Sequence, residues 1–126
     1  MAIDHSILIV EDDPFLARLY QAKFQADNFT VYTAGDGEQG LKLARELKPD
    51  ILLLDVSLPK LDGFSVLKAL RSEAATKTIP VVMLTNYSDP QGIELAKTLA
   101  ANAYLIKAQF LPSEVVAKVR SLISSA

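Results

Sequence analysis

The sequence predicts an α/β sandwich, with a five-stranded parallel sheet covered by helices on both faces. Three observations carry that prediction. Four-residue apolar runs recur at 7–10, 51–54, 81–84 and 103–106, short as strands are and continuous as strands buried on both faces are. Between them lie stretches whose apolar residues fall at helical spacing. The two kinds of segment alternate strictly, strand then helix, five times over, a pattern that calls for parallel strands and right-handed crossovers.

Taken in order, residues 7–10 form a first buried strand that ends at Glu11-Asp12-Asp13. Asp13 is a natural N-cap and Pro14 a natural first helical residue. The helix that follows runs to about Asp27, with Phe15, Leu16, Leu19, Tyr20 and Phe24 as its apolar positions. Asn28 suits a left-handed turn, and residues 29–34 make a second strand. Gly35-Asp36-Gly37 reads as a turn, because it lacks the further glycine spacing of a nucleotide loop. A second helix, about 38–47, carries Leu41, Ala44 and Leu47 on one stripe.

Pro49 closes that unit and opens the central strand, which ends at Asp55. After a loop, Gly63 leads into a helix through about Arg71, with Phe64, Val66, Leu67 and Leu70 inward and Lys68 toward solvent. Residues 72–79 read as a polar connection. Pro80 can open a strand without disturbing its ladder, and that strand ends at Thr85. Asp89-Pro90 repeats the cap-then-proline signature for a helix to about Ala101. The last strand ends at Lys107, and Pro112-Ser113-Glu114 opens a final helix with Val115, Val116, Val119, Leu122 and Ile123 on its core face.

Composition narrows the function. A chain of 126 residues, 50% hydrophobic and 22% charged, is a single globular domain in size and balance. Thirteen basic against fifteen acidic residues, a formal charge of -2, argue against nucleic acid or a membrane surface as the main partner. Without cysteine there is no disulfide and no thiolate metal site. The N-terminus lacks the basic-then-apolar pattern of a leader, and no apolar run approaches a membrane span. The expected location is cytoplasmic. His5, the single histidine, reads as an exposed tail residue without a partner.

Four strands end in chemically useful groups: Glu11-Asp12, Asp55, Thr85 and Lys107. In a flavodoxin-like, doubly wound (βα)5 sandwich of strand order 2-1-3-4-5, strands 1, 3, 4 and 5 lie side by side. Ligands then bind outside the carboxyl ends, at the switch point between strands 1 and 3. Three carboxylates gathered there repel unless a cation intervenes. Oxygen-only ligands suit a hard divalent ion such as Mg²⁺. A carboxylate beside that ion, with a lysine opposite, is arranged to attack a phosphoryl group.

Four motifs in order, Ile-Leu-Ile-Val-Glu-Asp-Asp, Leu-Leu-Asp-Val-Ser-Leu-Pro-Lys-Leu-Asp-Gly, Val-Val-Met-Leu-Thr and Tyr-Leu-Ile-Lys, give the whole chain a resemblance to a known family. It resembles the receiver domains of two-component response regulators, the single-domain chemotaxis type included. The resemblance implies that Asp55 accepts a phosphoryl group from a phosphohistidine on a sensor histidine kinase or histidine phosphotransfer protein. It implies Mg²⁺ bound by Asp12 and Asp55, by the Ser57 backbone carbonyl, and by Glu11 through water. Lys107 would pair with Asp55 and then with a phosphoryl oxygen. Thr85 would bond the phosphoryl group, and Tyr104 would turn inward behind it, altering the face of the fourth helix, fifth strand and fifth helix for a protein target. Pro59 and Gly63 would shape the loop.

On this reading residues 1–126 are one receiver without an output domain, a signalling element rather than an enzyme with a separate substrate. Two positions depart from the family: Ala108 stands where a proline in a cis peptide is usual, and Asn86 where a small residue is usual. Base rates put the Lys107–Ala108 bond in trans. Two other readings start from the same residues. An aspartyl-phosphate hydrolase of dehalogenase-like type needs a second acid two residues after the nucleophile, where this chain has Ser57. A degenerate receiver, acting only as a protein-binding module, would not need the full set of Glu11, Asp12, Asp55, Thr85 and Lys107.

Overall fold

The computed structural model describes residues 5–86 and 89–124; the remainder, including the stretch read for a leader, lies outside the described residues. The elements run β1 (His5–Val10), α1 (Pro14–Ala26), β2 (Phe29–Ala34), α2 (Gly37–Leu47), β3 (Ile51–Asp55), α3 (Gly63–Ser72), β4 (Val81–Thr85), α4 (Pro90–Thr98), β5 (Ala103–Ile106) and α5 (Pro112–Ser124). The sheet order is β2-β1-β3-β4-β5, parallel throughout, as the alternation predicts. Among the described residues no helix is long and apolar enough to cross a membrane.

Side-chain alternation along the strands splits the core in two. Leu8, Val10, Leu52, Leu54, Val81 and Met83 face one layer, where Leu41 and Ala44 of α2, Val66, Leu67 and Leu70 of α3 and Ala96 of α4 cover them. Ile7, Ile9, Ile51, Leu53, Val82 and Leu84 face the other, under Tyr20 and Phe24 of α1 and Val115, Val116 and Val119 of α5. Every residue of β3 and β4 is buried. That is why these two strands read as unbroken apolar runs rather than alternating ones.

Helix starts follow their caps. Asp13 accepts from the N–H groups of Phe15 and Leu16, Asp36 from Gln39, Asp62 from Ser65 and Asp89 from Gly92. Asn28 adopts φ 68°, the left-handed turn its residue type suggests.

Several expectations need correction. His5 is part of β1, not a tail: its Nδ1 lies 3.9 Å from Asp50 Oδ2 and its ring packs on Phe29. Parallel pairing of His5 with Phe29 carries the strand two residues further back than the apolar run. α4 stops at Thr98 rather than Ala101, because Ala100 turns left-handed at φ 63°. Its N–H bonds to Lys97 O while Ala101 N–H reaches back to Ala96 O, a Schellman closure normally signalled by glycine. Phe15 is 73% exposed. At about 100° per residue it lies about 140° around α1 from Tyr20, off the buried stripe. Leu47, last in α2, is partly exposed where the chain turns away at Lys48, φ 45°. The connection after α3 is not wholly polar either, since Ile79 and Thr76 are buried and Thr76 Oγ1 donates to Leu70 O.

Candidate functional site

β3 delivers Asp55 to the carboxyl edge of the sheet, 6% exposed, with Ser57 N–H donating to its Oδ1 at 3.2 Å. The loop that follows is clamped from two sides. Gly63 N–H bonds Val56 O at 2.8 Å, and a Cβ at 63 would collide with the backbone of Asp55 and Val56. Gly37 N–H bonds Pro59 O at 3.2 Å, and a Cβ there would overlap the Leu61 carbonyl. Pro59 and Gly63 thus act through the backbone, as expected. Gly37 does more than make a turn, a role no local signal marks.

β1 delivers the acid pair one strand away. Glu11 extends the β1–β2 pairing through its N–H to Ala34 O and is 5% exposed, whereas Asp12 is exposed. Glu11, Asp12 and Asp55 each offer a carboxylate oxygen within 4.8 Å of the others. Oxygen-only donors at this spacing fit a hard divalent cation, and the charge they gather calls for one.

Lys107 opens a single 3₁₀ turn just beyond β5, and its peptide bond to Ala108 is trans. Its ammonium lies 2.9 Å from Asp55 Oδ2, as the resemblance implies, and 2.7 Å from Glu11 Oε1, which sequence reasoning did not anticipate. Burial pushes the Lys107 pKa down, but the hydrogen bonds to Glu11 and Asp55 outweigh it and hold the group above the ordinary lysine value. The cleft around these groups, about 280 Å³, is also lined by Ser57 and Asn86, and by Asp13 and Leu16 from the start of α1. Asp13 therefore caps α1 and borders the site at once.

Two expected residues stand apart from the cleft wall. Asp55 pairs across the sheet with Leu84, so Thr85 is one residue further along the neighbouring strand, fully buried. Tyr104, on β5 opposite Met83, is half-buried with its hydroxyl against Gly92 in the first turn of α4. Burial, then the Asp89 carboxylate, raises the Tyr104 pKa. Tyr20, which periodicity marks only as an apolar position, sits close enough to feel the site: burial raises its pKa, Lys107 lowers it, and Glu11 and Asp55 raise it.

The comparisons agree with this geometry. Residues 7–120 match the family model described as the response regulator receiver domain. Over 115 residues the chain is 39% identical to the DNA-binding response regulator MtrA of Mycolicibacterium smegmatis, covering 91% of this chain and 49% of that one. It spans about half the length of the curated relatives it matches. A putative response regulator from Chloroflexus aurantiacus superposes with a TM-score of 0.88 at 34% identity, covering 97% of this chain and 99% of that one. The chemotaxis protein CheY4 of Vibrio cholerae superposes at 0.87 with 27% identity, covering 94% and 98%. With its strand order, its acid cluster and its strand-end lysine in hand, the chain belongs to the response regulator receiver domain family, as the receiver of a two-component response regulator.

Proposed function

We propose that this receiver takes a phosphoryl group onto Asp55 from the phosphohistidine of a sensor histidine kinase or histidine phosphotransfer protein, and relays the change to a protein partner. The observation that supports it most is the Lys107 ammonium seated 2.9 Å from the Asp55 carboxylate within a cluster of three acids. An Asp55 oxygen attacks phosphorus, the phosphorus–nitrogen bond breaks, and the imidazole keeps that electron pair and takes up a proton. The product is an acyl phosphate, so the chemistry is performed on the protein itself. Lys107 turns from the carboxylate to a phosphoryl oxygen and offsets its charge.

Asp12 and Asp55, with the Ser57 carbonyl and Glu11 through water, would hold Mg²⁺, which supplies charge neutralisation at the phosphoryl oxygens. The Thr85 hydroxyl would bond a phosphoryl oxygen from the adjacent strand end. Tyr104 would then turn inward. Its hydroxyl neighbours Gly92, so that movement changes the α4–β5–α5 face offered to a target.

Intact mass after incubation with acetyl phosphate and Mg²⁺ tests the reading. One phosphoryl adduct is expected on the wild type, and none on Asp55→Asn or with EDTA. An adduct that persists on Asp55→Asn moves the phosphoacceptor elsewhere.

A further inference from the structure

β2 forms one edge of the sheet, and its outer backbone is bare over a short stretch. Along a strand, successive peptide groups turn to opposite sides. Ala34 O accepts from Glu11 N–H, so Thr30, Tyr32 and Ala34 turn their peptide groups toward β1, whereas Phe29, Val31 and Thr33 turn theirs outward. Phe29 is only 5% exposed, and just past the strand Gly35 N–H is taken by Gln39 Oε1 at 3.1 Å. The open stretch is therefore Val31 to Thr33, and among the described residues nothing bonds its outward groups. The usual protections of an edge are missing. Phe-Thr-Val-Tyr-Thr-Ala holds no charge and no proline, and its unbroken register with β1 leaves no bulge. Tyr32, at the middle of the open stretch, is 38% exposed. It points to the α2 layer, as Ala34 does. On that layer Leu43 and the exposed Leu47 lie about 160° around α2 from Arg45, which bonds Glu73 at the end of α3. They line the flank of α2 turned away from α3, on the side of β2.

We propose that the β2 edge docks a second copy of this chain, the two β2 strands pairing antiparallel about a two-fold axis at Tyr32. The open stretch is complementary to itself. With Tyr32 on the axis, Val31 of each copy lies opposite Thr33 of the other, and each such pair exchanges both of its backbone hydrogen bonds. The two Tyr32 side chains meet at the closely spaced, non-hydrogen-bonded position, where an aromatic pair is favourable. No like charges face each other, because the strand carries none. A pairing this short buries less than about 1,200 Å² and makes a weak, concentration-dependent dimer. β2 and β5 are opposite edges of the sheet, so the α4–β5–α5 face of each copy stays uncovered.

Sedimentation velocity on the full chain, from micromolar to millimolar concentration, tests the proposal. The wild type should move from the mass of one chain toward twice that mass. Tyr32→Lys sets two ammonium groups opposite each other on the axis and should stay at the mass of one chain. Thr33→Pro removes an outward N–H and no bond to β1, and should also lose the dimer. Should Thr33→Pro not fold, Tyr32→Lys, a change at an exposed side chain, carries the same expectation. Amide hydrogen exchange reads the register: the Val31 and Thr33 amides should slow as concentration rises, while those of Thr30 and Tyr32, already bonded to β1, should not change. A wild type that stays at the mass of one chain at millimolar concentration overturns the proposal and leaves the edge to a different partner. A dimer that survives in the folded variants, or that forms without slowing Val31 and Thr33, uses another face and overturns it too.

Discussion

Gly63→Ala is the most exacting probe of how the end of β3, and with it Asp55, is held. The added Cβ would lie 2.8 Å from Val56 Cα and 3.0 Å from the Asp55 carbonyl carbon, and closer still to the Asp55 carbonyl oxygen. All three atoms are backbone, so no flexible side chain can swing away. Overpacking of this kind costs about 1–3 kcal/mol, and a rigid neighbour places it in the upper half. Alanine's helical advantage, at most about 1 kcal/mol, offsets part of that. The net expectation is a loss of about 2 kcal/mol, or a fall in Tm of roughly 8 °C for a chain of this size. Urea unfolding measures it, with the m-value unchanged. Gly35→Ala is the internal control. Nothing lies within 4 Å of its Cβ and its φ is not positive, so stability should hold or rise by about 0.4–1 kcal/mol. A Gly63→Ala protein within about 0.5 kcal/mol of wild type, or a Gly35→Ala protein that falls as far, would refute the packing argument.

Other consequences follow from particular contacts. Arg71, its pKa lowered by burial, donates to the carbonyls of Lys77, Ile79 and Ala100 and to Asn102 Oδ1, at the end of the sheet away from the site. Arg71→Met should cost about 2–3 kcal/mol in urea melts while folded protein still takes acetyl phosphate. Ala100→Gly should gain about 0.5–1 kcal/mol, because alanine at φ 63° bears a left-handed strain that glycine escapes; a loss of stability would contradict the cap assignment. The Lys107 pKa is raised, so its contribution to stability is fully present below the unfolded value of about 10.4 and fades as pH rises through the folded one. The stability difference between wild type and Lys107→Met should therefore stay constant from about pH 7 to 10 and shrink above it, followed by urea unfolding at each pH. A difference already shrinking within that range as pH rises would argue that the pair does not hold the proton.

Much of this was legible because the chemistry and the fold share one signal. The apolar run 51–54 had to be a strand buried on both faces, and the first polar residue after it, Asp55, had to emerge at the sheet's carboxyl edge. The same logic located Glu11, Thr85 and Lys107. What stayed hidden depends on three-dimensional approach rather than on local pattern. Nothing near Glu11 says that a lysine ninety-six residues later will reach it past two strand ends. Gly37 looks like any turn glycine until the Leu61 carbonyl arrives beside it. Ala100 ends α4 in a conformation that its residue type argues against, and Phe15 shows that apolar spacing does not by itself say which side of a helix faces the core.

The central claim is that Asp55 itself carries the phosphoryl group. Reductive trapping tests it most directly: after exposure to acetyl phosphate and Mg²⁺, borohydride converts an aspartyl phosphate to homoserine, and peptide sequencing by mass spectrometry locates the changed residue. The account predicts homoserine at position 55, dependent on phosphodonor and metal. Homoserine at Asp12 or at another acid, with Asp55 unchanged, would contradict it.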